Sequence, residues 1–188
     1  CRLMLFINNQ ILMILFIYGM SVSPLYLFIN LYYREIGASN QIIGIAFAVQ
    51  ALSELPFFFF GIKIVRKIGV STMILVTMIV AIIRLILYSY ISTPAVAVVL
   101  GITQGVTFSM FWVAGIEYMH NLIPARYRAT GQSLIWAFHV GAGVTIGNIY
   151  NGWLYDVITM QGVMKVAALL CAIVILATLL YFKKVKTV

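Results

Sequence analysis

Six long apolar runs, separated by short polar turns, are the feature that most constrains how this sequence can fold. A helix of about 20 residues crosses a hydrocarbon layer of about 30 Å, because it rises about 1.5 Å per residue. The chain is 64% hydrophobic and 9% charged, whereas soluble domains contain about 25% charged residues. The sequence therefore predicts an all-α membrane protein, a single six-helix transmembrane domain over 1–188, with spans at about 3–33, 41–62, 70–91, 95–120, 130–152 and 162–182.

The basic residues predict the orientation of these spans. With six crossings, both termini and the turns near 63–69 and 121–130 share one side of the membrane. That side holds nine of the 12 basic residues: Arg2, Lys63, Arg66, Lys67, Arg126, Arg128, Lys183, Lys184 and Lys186. The other side holds Arg34 and Lys165, and Arg84 falls inside a span. Because cytoplasmic loops carry the excess of Lys and Arg, both termini are predicted to be cytoplasmic.

The distribution of charge also bears on partners and location. The net charge of +8 is spread over turns and is not concentrated on one helix face, so no nucleic-acid partner is expected. We expect a multi-pass protein of the cell (plasma) membrane, with the lipid bilayer around it. The first residue is Cys rather than Met, and we expect the chain to be part of a longer protein. Within the first span, Pro24 predicts a kink.

A few polar side chains lie deep inside the predicted spans. Counted from the cytoplasmic ends at about 1.5 Å per residue, Glu54 and His139 lie about 12–14 Å deep. On the same scale Gln50, Arg84 and Gln104 lie about 18–24 Å deep. A charge at the bilayer centre costs at least about 2.5–3.5 kcal/mol, so such groups usually face a protein interior or a wet cavity. Transporters place their substrate and ion sites at this depth.

Three helix faces combine these polar groups with aromatic rings. Residues three, four, seven or eight positions apart share one face of a helix. The three faces are Phe47, Gln50 and Glu54 in the second span, Gln104, Phe108 and Trp112 in the fourth, and Gln132, Trp136 and His139 in the fifth. Aromatic stripes also occur in ordinary helix packing. An amide or acid in each stripe at similar depth favours the walls of a cavity for a polar organic molecule.

The ionisable groups allow two interpretations each. Burial and a nearby cation act in opposite directions on a carboxyl, so Glu54 can exchange a proton as access changes; alternatively it forms a fixed ion pair with Arg84. Arg84 could also bind a substrate carboxylate. His139 could relay protons or be a neutral, hydrogen-bonded histidine. Glu117, near the cytoplasmic end of its span, is expected to pair with Arg126 or Arg128.

Motifs typical of enzymes do not occur in this sequence. It contains no H-E-x-x-H, no C-x-x-C, no phosphate-binding loop and no G-x-S-x-G, so we expect no catalytic residues, metal or cofactor. Two small-xxx-small pairs do occur, Gly101 with Gly105 and Gly143 with Gly147. Such pairs allow helices to approach each other closely in a membrane.

Several segments resemble one group of the major facilitator superfamily. They are GIAFAVQALSELPFFFFG at 44–61, RKIG at 66–69, IRL at 83–85, QGVTFSMFW at 104–112, RATGQSL at 128–134 and GWLYD at 152–156. The group joins phenylpropionate permeases with proton symporters similar to lactose permease. The resemblance implies the C-terminal six-helix half of a twelve-helix carrier, with an N-terminal six-helix half as its partner. In such carriers the ninth helix is peripheral, which favours a structural role for Arg84.

The sequence and the resemblance together predict secondary active transport by alternating access. We expect a small polar organic solute, sugar-like or a small organic acid, moved together with protons. Glu54 and His139 are the candidate coupling residues. The candidate substrate-binding residues are Gln50, Gln104, Phe108, Trp112 and Trp136. The alternatives are a six-helix membrane scaffold or receptor that transports nothing, and a membrane-embedded enzyme.

Overall fold

The computed structural model of this chain describes residues 9–186, with side chains to residue 183. Within that range the chain forms six long helical segments. We label them α1 (Asn9–Glu35), α2 (Asn40–Ile68), α3 (Val70–Tyr88), α4 (Pro94–Leu122), α5 (128–155) and α6 (Met160–Lys186). Residues 3–8 of the first predicted span, Arg2, and the side chains of Lys184 and Lys186 lie outside the described part.

The helix boundaries follow local sequence signals. The Ser39 hydroxyl accepts a hydrogen bond from the Ile42 N–H at the start of α2, at 3.4 Å, which is a typical N-cap. Gly69, with φ +94°, separates α2 from α3; glycine adopts this left-handed conformation without strain. Pro94 begins α4, where its missing N–H costs no helical hydrogen bond.

Three of the long helices contain irregular turns. In α1 a 3-10 turn at Ser23–Leu25 separates the α-helical parts Asn9–Val22 and Ile29–Glu35, so the α-helix is interrupted at Pro24, where the sequence predicts a kink. In α4 a 3-10 turn at Gly101–Thr103 and a π-helical segment at Gly105–Met110 separate Pro94–Leu100 from Phe111–Leu122. In α5 a π-helical segment, Ala137–Val144, joins Arg128–Trp136 to Thr145–Tyr155. Such π turns are rare and often occur at functional sites.

The six helices pack as two close pairs joined by two further helices. α1 packs against α5, mainly at its π-helical segment, and α2 packs against the π-helical segment of α4. α3 contacts α4 and α6, and α6 also contacts α1, so α3 and α6 connect the two pairs. The core between them is largely apolar, with Tyr32, Tyr33 and Tyr88 fully buried in edge-to-face contact.

Both predicted glycine pairs lie at these close contacts. A Cβ on Gly147 would lie 2.8 Å from the Met20 Cα of α1, and a Cβ on Gly105 would lie 2.5 Å from the Phe57 ring of α2. Real Cβ atoms essentially never show contacts under 3.0 Å, so a side chain at either position would force the helices apart. The prediction that these glycines permit close approach is confirmed.

Five of the six helical segments, α1 to α4 and α6, are long and apolar enough to cross a membrane. The remaining segment, α5, coincides with the predicted span 130–152 but is more polar. It carries Gln132, His139, Asn148 and Asn151 within its length. Several of these groups face other helices: the Asn151 amide donates to the Ser23 hydroxyl of α1 at 2.6 Å, and His139 is fully buried.

Candidate functional site

A pocket of about 240 Å³ that contains three polar side chains lies between α1, α2 and α4. Its lining residues are Leu25, Tyr26, Phe47, Gln50, Ala51, Glu54 and Gln104. Gln50 and Glu54 reach it from one face of α2, four residues apart, and Gln104 reaches it from α4. The structure thus brings together three of the polar residues that depth and spacing singled out. Tyr26 was not among the predicted site residues, although its position beside the Pro24 kink was a usable signal.

The three polar groups of this pocket differ in accessibility. Gln50 is 6% exposed and Gln104 is 8% exposed, whereas Glu54 is half-buried. The Glu54 carboxyl interacts with the Gln104 side chain, and the Arg84 charge also acts on it. The pocket therefore offers a solute one accessible carboxyl flanked by amides, a set that can both donate and accept hydrogen bonds.

Arg84 lies behind this pocket and not in it. Its side chain is 1% exposed, and its Nη1 donates to the Gln104 side-chain oxygen and to the Thr107 hydroxyl, the latter at 3.1 Å. The guanidinium carbon lies 5.4 Å from the centre of the Tyr88 ring. The direct ion pair with Glu54 that the sequence allowed is replaced by these contacts, because Gln104 of α4 occupies the position facing Arg84.

A smaller cavity of about 10 Å³ adjoins Arg84 on the side of α1. It is lined by Tyr18, Tyr26, Arg84, Gln104 and Thr107 together with three apolar side chains. The Arg84 Nε and Nη2 atoms are buried without a hydrogen-bond partner in the described part of the chain. A cavity of this size has room for about one water molecule. The positive charge is therefore enclosed and out of reach of a solute-sized carboxylate.

A chain of aromatic rings leads from the pocket along α4 to α5. Phe108 contacts Tyr26 and Trp112 edge to face, each at 6.1 Å between ring centres. Trp112 in turn stacks on Trp136 of α5 at 4.3 Å and 18°. Phe108 thus links the Glu54 pocket to the tryptophan pair.

The tryptophan pair borders a second pocket, of about 430 Å³, between α4 and α5. Its lining residues are Trp112, Ile116, Ala129, Gln132, Ser133, Ile135 and Trp136. Trp112 is 5% exposed and Trp136 is 51% exposed, so the outer tryptophan presents an open ring face. Four of the five predicted substrate residues therefore line two neighbouring pockets instead of one, and Phe108 packs between them without lining either.

His139 lies apart from the Glu54 pocket. It is fully buried, and its Nδ1 lies 3.2 Å from the Leu15 carbonyl oxygen of α1. Its ring packs against Tyr18, Phe111 and Trp112, at 5.4, 5.0 and 5.8 Å between centres. A carbonyl oxygen only accepts, so Nδ1 must carry the hydrogen. The depth counted along the predicted spans placed His139 at the level of Glu54. However, the face of α5 that carries His139 is turned toward α1.

Glu117 has a different partner from the two expected. Its carboxylate binds the Arg66 Nε at 3.0 Å, which joins the C-terminal ends of α4 and α2. The predicted pairing with Arg126 or Arg128 is wrong, because α2 runs alongside α4 and brings Arg66 closer. Arg128 instead donates to the His120 carbonyl at 3.4 Å. In the described part of the chain, no group of three or more His, Cys, Asp or Glu residues could hold a metal ion.

Long apolar helices with a few polar side chains enclosed between them are the architecture of a multi-pass membrane protein. The chain belongs to the MFS_1 like family, whose sequence model matches residues 4–182. Membership confirms the resemblance to the major facilitator superfamily, and it points to a transporter and not to an enzyme.

Three similar proteins illustrate the relationship. The uncharacterized transporter YwbF of Bacillus subtilis (strain 168) is 26% identical over 72% of this chain and 34% of its own length. Maltose permease of Geobacillus stearothermophilus is 22% identical over 85% of this chain and 41% of its own length. The crystal structure of nucleoside transporter NupG (D323A mutant) matches with a TM-score of 0.81 and 18% identity, over 95% of this chain and 50% of that chain. The chain thus spans half or less of the length of these proteins.

Proposed function

We propose that this chain is one six-helix half of a twelve-helix secondary transporter in the cell membrane. A match to half of NupG over nearly all of this chain supports this proposal. The other half, an N-terminal six-helix unit, would cover the open side of the two pockets. Both termini are cytoplasmic in this proposal, as the distribution of basic residues predicts.

The proposal requires α5 to cross the membrane as the sixth span. At about 1.5 Å per residue, the 28 residues of 128–155 extend over about 42 Å, enough to cross a bilayer. Its polar groups are compatible with a crossing because His139 and Asn151 are buried against α1. Intramembrane polar groups are tolerated when they face other helices or a cavity.

We infer that the solute is small, neutral and rich in hydroxyl groups, as a sugar is. Amides at Gln50 and Gln104 provide donors and acceptors for hydroxyls, and the exposed ring of Trp136 provides an apolar face for a ring to stack on. Trp112 packs behind that ring, and Phe108 packs against Trp112. A small organic acid would need a cation, and Arg84 is enclosed behind Gln104. The name of maltose permease, one relative, agrees with this class. Membership in the phenylpropionate permease and lactose-permease-like group remains part of the proposal.

We propose that Glu54 couples transport to protons. The observation that carries this is its position: a half-buried carboxyl in a pocket wall, beside an amide and near an enclosed arginine charge. When the pocket opens to water, the ionised form is favoured; when the pocket closes, desolvation favours the protonated form. Alternating access then carries a proton together with the solute.

His139 is the weaker of the two coupling candidates. Its Nδ1–H donates to the Leu15 carbonyl, and aromatic rings surround the rest of the imidazole. A second proton would place a positive charge in this fully buried site, which is costly. These contacts support the neutral, hydrogen-bonded interpretation of His139.

Uptake by the complete carrier with Glu54→Gln tests the coupling proposal. The amide keeps the shape and hydrogen bonding of the carboxyl but cannot release a proton. We expect proton-driven accumulation of a labelled sugar to be lost, while exchange of labelled for unlabelled sugar continues. Glu117→Gln, which changes an acid outside the pocket, is the matched control and should still accumulate sugar. Accumulation that remains fully proton-dependent in Glu54→Gln would exclude Glu54 as the coupling residue.

A further inference from the structure

The contact between α2 and α4 contains a hydrogen-bonded bridge through the side chain of Ser53, which does not line the binding pocket. The Gly105 N–H, at the first residue of the π-helical segment of α4, donates to the Ser53 hydroxyl of α2 at 3.1 Å. The Ser53 hydroxyl donates in turn to the Gln50 carbonyl at 2.6 Å. One side chain therefore connects the backbone of α2 to the backbone of α4.

The two helices touch backbone to backbone at this bridge. A Cβ on Gly105 would overlap the Ser53 carbonyl oxygen, and a Cβ on Gly101 would lie 3.2 Å from the Gln50 Cγ. Small residues on α4 thus let α2 approach closely enough for the Ser53 hydroxyl to reach a main-chain N–H. In a membrane, such packing and interhelical hydrogen bonds are what hold helices in register.

The bridge is adjacent in sequence to groups that line the Glu54 pocket. Ser53 precedes Glu54, and Gly105 follows Gln104. Gln50, whose carbonyl receives the Ser53 hydrogen bond, also lines the pocket. A shift of α4 along α2 would therefore change the separation of Glu54 and Gln104, which the solute must contact together.

We propose that Ser53 is a positioning residue that fixes the register of α2 against α4 and so sets the spacing of the solute-binding groups. Ser53 is absent from the residues that line the pocket, so its effect is exerted through Gln104 and Glu54. This inference rests on the proposed function, because it assigns Ser53 a part in solute affinity.

Kinetics of uptake by the complete carrier test the inference, with radiolabelled maltose and radiolabelled lactose as probes. Ser53→Ala should raise the apparent KM roughly 3- to 10-fold, the change expected from losing one hydrogen bond. The maximal rate per carrier and the protein level in the membrane should change little. Ser53→Thr should restore the KM, because threonine in a helix keeps a hydroxyl able to bond the carbonyl three or four residues earlier.

Ser109 provides the matched control. It lies on the same π-helical segment and is fully buried, and its hydroxyl has no hydrogen-bond partner in the described part of the chain. Ser109→Ala makes the same chemical change without removing a bridge, so its KM should match that of the wild type.

Hydrogen exchange provides a readout that is independent of transport. In Ser53→Ala, the backbone of Gly105–Met110 should exchange faster than in the wild type and in Ser109→Ala. Faster exchange with an unchanged KM would overturn the positioning role, and equal exchange would overturn the bridge itself. If the wild-type carrier takes up neither sugar, the proposed sugar class is contradicted. This result differs from the two exchange results above, and it would also overturn the inference about solute affinity.

Discussion

Gly147→Ala is the sharpest test of the packing, because it adds one methyl group at the contact between α1 and α5. The added Cβ would lie 2.8 Å from the Met20 Cα and 2.9 Å from the Met20 carbonyl oxygen. Both of these atoms belong to the backbone of α1, so no side chain can rotate away to make room. The new Cβ would also overlap the Ser23 hydroxyl oxygen, which accepts the hydrogen bond from Asn151.

The expected loss of stability in Gly147→Ala follows from these distances. Ordinary van der Waals contact begins near 3.4 Å, so α1 and α5 must separate by roughly 0.6 Å at this point. Overpacking of this kind costs about 1–3 kcal/mol, and the higher helix propensity of alanine offsets about 0.5–1 kcal/mol. The middle values of these two ranges leave a net loss of about 1 kcal/mol, which corresponds to a fall in Tm of roughly 2–4 °C in a domain of this size.

Thermal unfolding of the purified protein in detergent, followed by intrinsic tryptophan fluorescence, measures this fall. Gly44→Ala is the matched control, because a Cβ on Gly44 of α2 meets no atom within 4 Å. Its Tm should be unchanged or slightly raised. A Tm for Gly147→Ala within 1 °C of the wild type, or an equal fall for Gly44→Ala, would refute the close contact of α1 with α5.

Two further predictions concern charged and ionisable groups. Arg66→Glu and Glu117→Arg should each lower the Tm, and the double exchange should recover part of the loss. Because Arg66 is 69% exposed, the coupling free energy from the double-mutant cycle should be only about 0.2–1 kcal/mol; a coupling of zero would mean that the pair adds nothing to stability. His139→Asn, which can still donate to the Leu15 carbonyl but cannot gain a proton, should retain proton-dependent uptake by the complete carrier. Loss of that dependence, with exchange intact, would make His139 a coupling residue.

The sequence predicted the helical spans and the faces within them. Within residues 9–186, all six expected spans correspond to helical segments, and the ends that can be compared differ by at most six residues. Gln50 and Glu54 were assigned to one face because four residues are about one helical turn. The close approach at the glycine pairs was also predictable, since small residues four positions apart leave a groove on the helix surface.

What the sequence did not determine is which faces meet. Helical periodicity fixes the angle between two side chains on one helix, but it says nothing about the neighbouring helix that each one faces. Similar depth placed His139 beside Glu54, yet His139 is turned toward α1. Glu117 was assigned to the nearest basic residues in the sequence, yet its partner Arg66 is 51 residues away along the chain. Such assignments depend on contacts between distant segments.

The chain by itself therefore determined the number, approximate length and face pattern of its helical segments, because these depend on local composition and the geometry of a single helix. Tertiary structure alone decided that Gln104 lies between Glu54 and Arg84, and that Ser53 connects α2 to a π-helical turn of α4. Both features need two or three helices packed in a defined register, and the register is set by the summed contacts of all six.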